Sequence, residues 1–212
     1  MDRVILVGTL IGEVPAEALV TPRGARPGDR LLLTKGVPIE ATALLAREFP
    51  DRLAGVLSEA ELKQAQGFLR DPGLSVVREA RLATRAGRVT AMHDPTEGGL
   101  VGALWELAEA SGHSLWCETA KVPVPPLAAK VCAAFGLNPM ASLASGALLM
   151  TVAPEAATDI CLALAAKGVP CAEIGGVEAG PPVVWAVEGS ARAGLPRPAR
   201  DEIGRIFEER IP

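Results

Sequence analysis

Tyrosine is absent, and aromatic residues make up only 3% of the 212-residue chain. Side chains that could stack on bases or sugars are therefore in short supply. Positive charge is not in excess either: the formal net charge is −4, which argues against nucleic acid or an anionic membrane as the main partner. The four cysteines, Cys117, Cys132, Cys161 and Cys171, show no CxxC spacing, and there are two histidines. That pattern does not suggest a zinc site and reads as small buried residues in a reducing compartment. The N-terminus lacks a basic flank followed by a long apolar run, and no apolar segment approaches the ~20 residues that cross a bilayer. The expectation is a cytoplasmic protein with no leader and no membrane span.

What the chain does have is a hydrophobic fraction of 49%, rich in Ala, Leu and Val, enough for a sizeable core. Val4 to Val14 reads as one or two strands, and Ala18 to Thr21 as another. Pro22 to Asp29 is a turn cluster. Arg30 to Thr34 reads as a buried strand, and Val37 to Phe49 as a helix stopped by Pro50. Leu57 to Arg70 carries a capping box, Ser58 with Glu61, and a staple of Leu57 with Leu62. Leu74 to Ala86 is helical again, with Arg78, Arg81 and Arg85 on one face, read as a solvated face.

Further strands are expected at Val89 to Met92, His113 to Glu118, Gly146 to Val152, Pro170 to Val177 and Pro182 to Glu188. Helices are expected at Leu127 to Phe135, Pro154 to Lys167 and Asp201 to Glu209, with Arg192 to Arg200 as a linker. Two β-α-β units result, residues 89–118 and 146–177, and a mixed sheet covered by helices is the economical architecture. The chain divides into an N-terminal strand segment (1–22), one α/β domain (23–190), and a linker with a last helix packed on it (191–212).

The stretch Thr90 to Leu100 (TAMHDPTEGGL) organises the rest. It leads from a strand into an amphipathic helix that ends near Gly112, with Leu100, Leu104, Leu107 and Ala108 on one face. A structural reading makes Asp94 the N-cap, Pro95 the first helical residue and Glu97 the closure of a capping box. It leaves Gly98, Gly99 and Gly102 unexplained, since each costs about 1 kcal/mol against Ala inside a helix. Something is expected to pack closely on the backbone there, either a ligand or another strand. Free N–H groups at the helix start favour an anion, but two carboxylates in the same turn would repel a bare one, so a phosphate accompanied by a metal ion, or a neutral polar substrate, fits better. If a ligand is what approaches, alanine at 98 or 99 should leave the fold standing.

At His93-Asp94-Pro95-Thr96-Glu97-Gly98-Gly99-Leu100 the chain resembles the aminoimidazole ribonucleotide (AIR) synthetase, or PurM, superfamily, in its C-terminal domain. The likeness is greatest to the hydrogenase-maturation branch and the AIR synthase-related proteins. Supporting stretches follow in the required order: Pro27-Gly28-Asp29 with Leu31 to Gly36, Glu40 to Ala46, and Ser142 to Leu149. The likeness covers roughly residues 24–190.

It implies a three-layer α/β/α fold with a mixed sheet and a ferredoxin-like element. Full-length members pair this domain with an N-terminal nucleotide-binding domain. They use ATP and Mg²⁺ to activate an oxygen or selenium atom of a small-molecule substrate, in a cleft between the domains and often in a homodimer. Carried over to this chain, His93, Asp94 and Glu97 are the catalytic candidates. Thr96, Gly98 and Gly99 share their wall of the cleft, Thr34, Lys35 and Gly36 form a second wall, and Ser145 and Gly146 a third. No metal ligand is assigned within the chain.

Two departures shape the functional expectation. Nothing before Val4 corresponds to the family's nucleotide domain, and neither a P-loop nor a Rossmann fingerprint replaces it. The chain ends Arg210-Ile211-Pro212, without the terminal cysteine on which the hydrogenase-maturation enzymes work. The expectation is the C-terminal half of an ATP-dependent enzyme, inactive until a nucleotide-binding domain joins it in cis or in trans. The alternative is a stand-alone binding module that kept the fold and lost catalysis.

Overall fold

The computed structural model of the protein describes residues 7–9 and 11–208. Its centre is β1 (Arg30–Thr34), where three consecutive leucines are fully buried. A strand with side chains alternating between faces can bury such a run only if both faces are covered. Both are. Leu31 and Leu33 join the cluster built on α5 (Gly99–Ser111), while Leu32 points into a second cluster under α4 (Val77–Ala86) and α7 (Ala157–Ala165). Helices on opposite faces of one sheet give the three-layer α/β/α arrangement.

The sheet has seven strands in the order β2-β4-β1-β5-β3-β6-β7. The remaining strands are β2 (Val89–His93), β3 (Ser114–Glu118), β4 (Leu149–Val152), β5 (Cys171–Glu178), β6 (Val184–Glu188) and β7 (Ala191–Gly194). Neighbours are antiparallel except β3 with β6, so the sheet is mixed. Both expected β-α-β units form, but neither joins adjacent strands. The unit β4-α7-β5 straddles β1, and β2-α5-β3 spans those three strands together. Nested split crossovers of this kind are the ferredoxin-like element.

A third cluster contains no strand residue. It packs α1 (Ile39–Glu48), α2 (Pro50–Leu53), α3 (Glu59–Gln66), α6 (Pro126–Phe135) and α8 (Gly204–Glu208) against one another. Phe49 lies edge-on to Phe135 and to Phe207, with ring centroids 5.7 and 5.2 Å apart. The capping box of α3 is present: Glu61 N–H donates to Ser58 Oγ, and Ser58 N–H to Glu61 Oε2. Gly136 closes α6 in the left-handed conformation, as its position after the apolar run predicts.

Several expectations change. Residues 4–6 and 10 of the expected Val4–Val14 strands lie outside the described residues. Those that are described, 7–9 and 11–14, form no strand, and neither does the expected Ala18–Thr21, where Ala18 closes a 3₁₀ turn begun at Ala16. Pro50 does not simply stop a helix but occupies the first turn of α2, where its missing N–H costs nothing. The expected linker begins with β7, which adds a hairpin strand to β6. The arginine face of α4 is exposed as expected, although Arg78 also donates to the Lys167 carbonyl at 2.6 Å. Among the described residues no helix is long and apolar enough to cross a membrane.

Candidate functional site

Leu33 and His93 both pair with Leu149, which brings the C-terminal ends of β1 and β2 to one edge of the sheet, beside the start of β4. The loops leaving these ends are the three stretches singled out in the sequence. Hydrogen bonds tie them together. Ala144 N–H donates to the Thr96 carbonyl at 3.3 Å, and Leu148 N–H to Thr34 Oγ1 at 3.0 Å. Lys35 Nζ donates to the carbonyls of Gly73 and Ser75, both at 3.0 Å, and a Cβ on Gly146 would stand 2.9 Å from that Gly73 oxygen. Gly36 lies with φ +99° against the Pro123 carbonyl. The three stretches are therefore joined at one place.

The entry into α5 differs from the local reading. Gly98 is the N-cap residue, not Asp94, so Pro95 and Glu97 lie before the helix and no capping box closes. Gly98 and Gly99 have φ of +78° and +62°, a conformation in which glycine carries no steric penalty. The close approach inferred from the glycines is real, but it comes from the chain itself. A Cβ on Gly99 would lie 2.6 Å from the Met140 carbonyl oxygen and 2.8 Å from the Ser142 nitrogen. Gly102 faces the Glu97 carbonyl in the same way, at 2.9 Å. Alanine at either position is therefore strained by the backbone conformation, and at 99 by contact as well, contrary to the expectation that both are tolerated.

The anion expected at this helix start is also present, as a side chain. Gly98 N–H donates to Asp201 Oδ2 at 2.7 Å, and Ile203 N–H to Oδ1 at 2.9 Å. Burial pushes the Asp201 carboxyl above the ordinary carboxylate range, against the pull of hydrogen bonds from the Ile203, Gly98 and Leu143 backbone. Asp201 is separated from Gly98 by 103 residues, and no local pattern reveals the contact.

Outside this cap lie the polar side chains. His93 Nε2 is 2.6 Å from Glu106 Oε2, and its Nδ1 is 3.8 Å from Asp94 Oδ1. The imidazole is mostly covered, with its side chain 20% exposed, whereas Asp94 is 64% exposed. Glu97 is exposed at the rim of a shallow cavity of about 200 Å³ that Gly98, Gly102, Glu106, Arg197 and Asp201 also line. A histidine held by one carboxylate beside two exposed carboxylates can relay a proton or orient a cationic partner. Glu106 was not singled out in the sequence. Its spacing from Gly102, one helical turn, is the signal that could have found it.

The other candidates serve the frame. Thr34 is fully buried and its hydroxyl is engaged by Leu148. Lys35, at φ +59°, turns its ammonium inward to Glu79 Oε1 at 3.2 Å, with both side chains about 95% covered. Ser145 bridges to Ala147, and Gly146, at φ +109°, leaves room for Ile39. Among the described residues no three His, Cys, Asp or Glu side chains are grouped so as to hold a metal ion. With the Gly98 N–H engaged by Asp201, these residues do not build a phosphate cradle on their own.

Comparison with known proteins agrees with this frame. The family described as "AIR synthase related protein, C-terminal domain" matches residues 26–187. The chain belongs to this family. Among its relatives this AIR synthase-related domain is 30% identical over 169 residues to the carbamoyl dehydratase HypE of Cupriavidus necator, covering 80% of this chain and 44% of that protein. It is 29% identical over 198 residues to the selenide, water dikinase of Nitratidesulfovibrio vulgaris, covering 80% and 54%. A crystal structure of the hydrogenase maturation protein HypE in complex with ATP superposes with a TM-score of 0.64 at 20% identity, over 90% of this chain and 56% of that one. The chain thus spans about half the length of the relatives it matches.

Proposed function

We propose that this AIR synthase-related domain supplies one wall of an inter-domain active-site cleft in an enzyme that uses ATP to activate a small substrate, with a nucleotide-binding domain as its partner in cis or in trans. The observation that carries this reading is the convergence of three loops at one end of the strands, their backbones fixed to each other, with Glu97 and Glu106 lining the cavity and His93 and Asp94 beside Glu106. A rigid frame that presents exposed acids beside a half-buried imidazole is what an active-site wall requires. Relatives named as a carbamoyl dehydratase and a selenide, water dikinase, and a fold neighbour solved with ATP, support the reaction class.

In this reading Asp94 and Glu97 meet a magnesium–phosphate group brought by the partner domain. His93, steadied by Glu106, holds or moves a proton at Nδ1. Thr34, Lys35, Gly36, Ser145 and Gly146 shape the other walls, and Thr96, Gly98 and Gly99 set the turn that presents the acids.

The test mixes the chain with a separately expressed nucleotide-binding domain of the same family and measures ATP turnover. Turnover should emerge only in the mixture, and Asp94→Asn or Glu97→Gln should abolish it. Because neither residue caps α5, both variants should melt within about 0.5 kcal/mol of the parent, as surface changes do. Turnover that survives both substitutions would refute the assignment, and a mixture that binds without turnover would favour a binding module.

A further inference from the structure

Where β5 begins, next to the end of β1, two cysteines lie side by side. Cys161 on α7 and Cys171 at the start of β5 place their Sγ atoms 3.4 Å apart, ten residues apart in sequence, and both are free thiols. Neither is fully buried, and both pack against the cluster beneath α4 and α7. Each is held by rigid surroundings. Ile160 and Leu164 anchor α7 in the core, while Cys171 pairs with Thr34 of β1 and the neighbouring Pro170 carbonyl accepts from Lys35 N–H at 2.8 Å. Between them run Gly168, Val169 and Pro170, and the sulfurs need close by only roughly 1.3 Å to reach the about 2.05 Å of a disulfide bond.

We propose that Cys161 and Cys171 form a thiol–disulfide exchange site, a dithiol that a low-molecular-weight disulfide oxidises to an intramolecular bond. Cys161 is the attacking thiol, being the less buried of the two. Once it has lost its proton, Cys171 S–H can donate to the thiolate, which lowers the Cys161 pKa and raises that of Cys171, with burial adding to the latter rise. The Cys161 thiolate attacks one sulfur of the reagent, the reagent's S–S bond breaks, and one thiolate leaves and takes up a proton. Cys171, deprotonated in turn, attacks Cys161 Sγ and expels the second half of the reagent as a thiol. Two protein thiols are oxidised by two electrons, and one disulfide is reduced to two thiols.

Cys117 and Cys132 are internal controls. Burial pushes both up to about 12, with Glu118 adding to the rise at Cys117, so neither should react at neutral pH.

The experiment treats the reduced, folded chain with oxidised glutathione and follows intact mass. Loss of two hydrogens, reversed by dithiothreitol, is expected. Digestion after Glu155 and Lys167 separates Cys132 from Cys161, and should show a link between Cys161 and Cys171 alone. Cys171→Ser should stop with one glutathione on Cys161, and Cys161→Ser should give neither link nor adduct. Iodoacetamide should label Cys161 at least about tenfold faster than Cys117 or Cys132, following thiolate fraction and exposure. A stable glutathione adduct on the parent chain, a link through Cys117 or Cys132, or no reaction while the unfolded chain reacts at all four cysteines would each overturn the proposal. If either serine variant fails to fold, the mass and link found in the parent chain still decide.

Discussion

Gly99 carries two separate demands. Its φ of +62° suits glycine, and a Cβ would meet the backbone of Met140 and Ser142 at 2.6 to 2.8 Å, where real Cβ atoms do not go. Gly98 carries only the first, since at φ +78° its nearest neighbour to a built Cβ is Gly102 Cα at 3.5 Å. Alanine at 98 should therefore cost about 1–2 kcal/mol, the usual left-handed penalty, and alanine at 99 more than that. Thermal melts of the two variants check the order. A Gly99→Ala protein as stable as the parent would mean that the Met140–Ser142 turn yields freely. Lys35 offers a second contrast. Its ammonium is shared among Gly73, Ser75 and Glu79, and Glu79 Oε2 has no hydrogen-bond partner. Removing the cation strands a buried carboxylate, so Lys35→Met should lose about 3–5 kcal/mol. Adding Glu79→Leu to it should recover part of the loss in a double-mutant cycle.

Among the elements, α3 gives the clearest pH signature. Hydrogen bonds from Lys130 and from Ser58 hold the exposed Glu61 carboxyl at about 2, below its ordinary 4.5. The stabilisation this provides is complete above pH 4.5 and disappears as pH falls toward 2. An NMR titration of the Glu61 carboxyl should find the low midpoint, and Lys130→Met should move it upward. Ser58→Ala should cost about 1 kcal/mol at neutral pH. The α3 cap was legible because all its parts lie within four residues. The strands β1, β3 and β6 were legible for a similar reason: apolar runs bounded by turn residues. The start of α5 was misread because Asp94, Pro95 and Glu97 satisfy every local rule for a cap, while the group that acts there, Asp201, arrives from the far end of the chain. The same holds for Lys35 and Glu79, and for the nested crossovers, whose order depends on pairings that no short window contains.

For the whole molecule, the distribution of polar groups limits what the chain does alone. Tight nucleotide binding needs a phosphate cradle, carboxylates for Mg²⁺ and a pocket for the base. The α5 N-terminus is already engaged by Asp201, and the cavity beside it is shallow. Calorimetry with ATP and Mg²⁺ should therefore give a Kd weaker than about 1 mM, equivalent to no more than about 4 kcal/mol of binding. A micromolar value would place a complete nucleotide site within this domain.

The strand order also sets a schedule for biosynthesis. The central strand, β1, is complete at Thr34, but its two neighbours begin at Leu149 and Cys171. At roughly 5–20 residues per second, its three leucines wait on the order of ten seconds for either partner to be translated. Through that interval the nascent chain carries an unpaired apolar segment that only the residues from Leu149 onward can cover. A ribosome stalled before β4 would hold a product with no central pairing at all, and such a product is a natural client for a holdase.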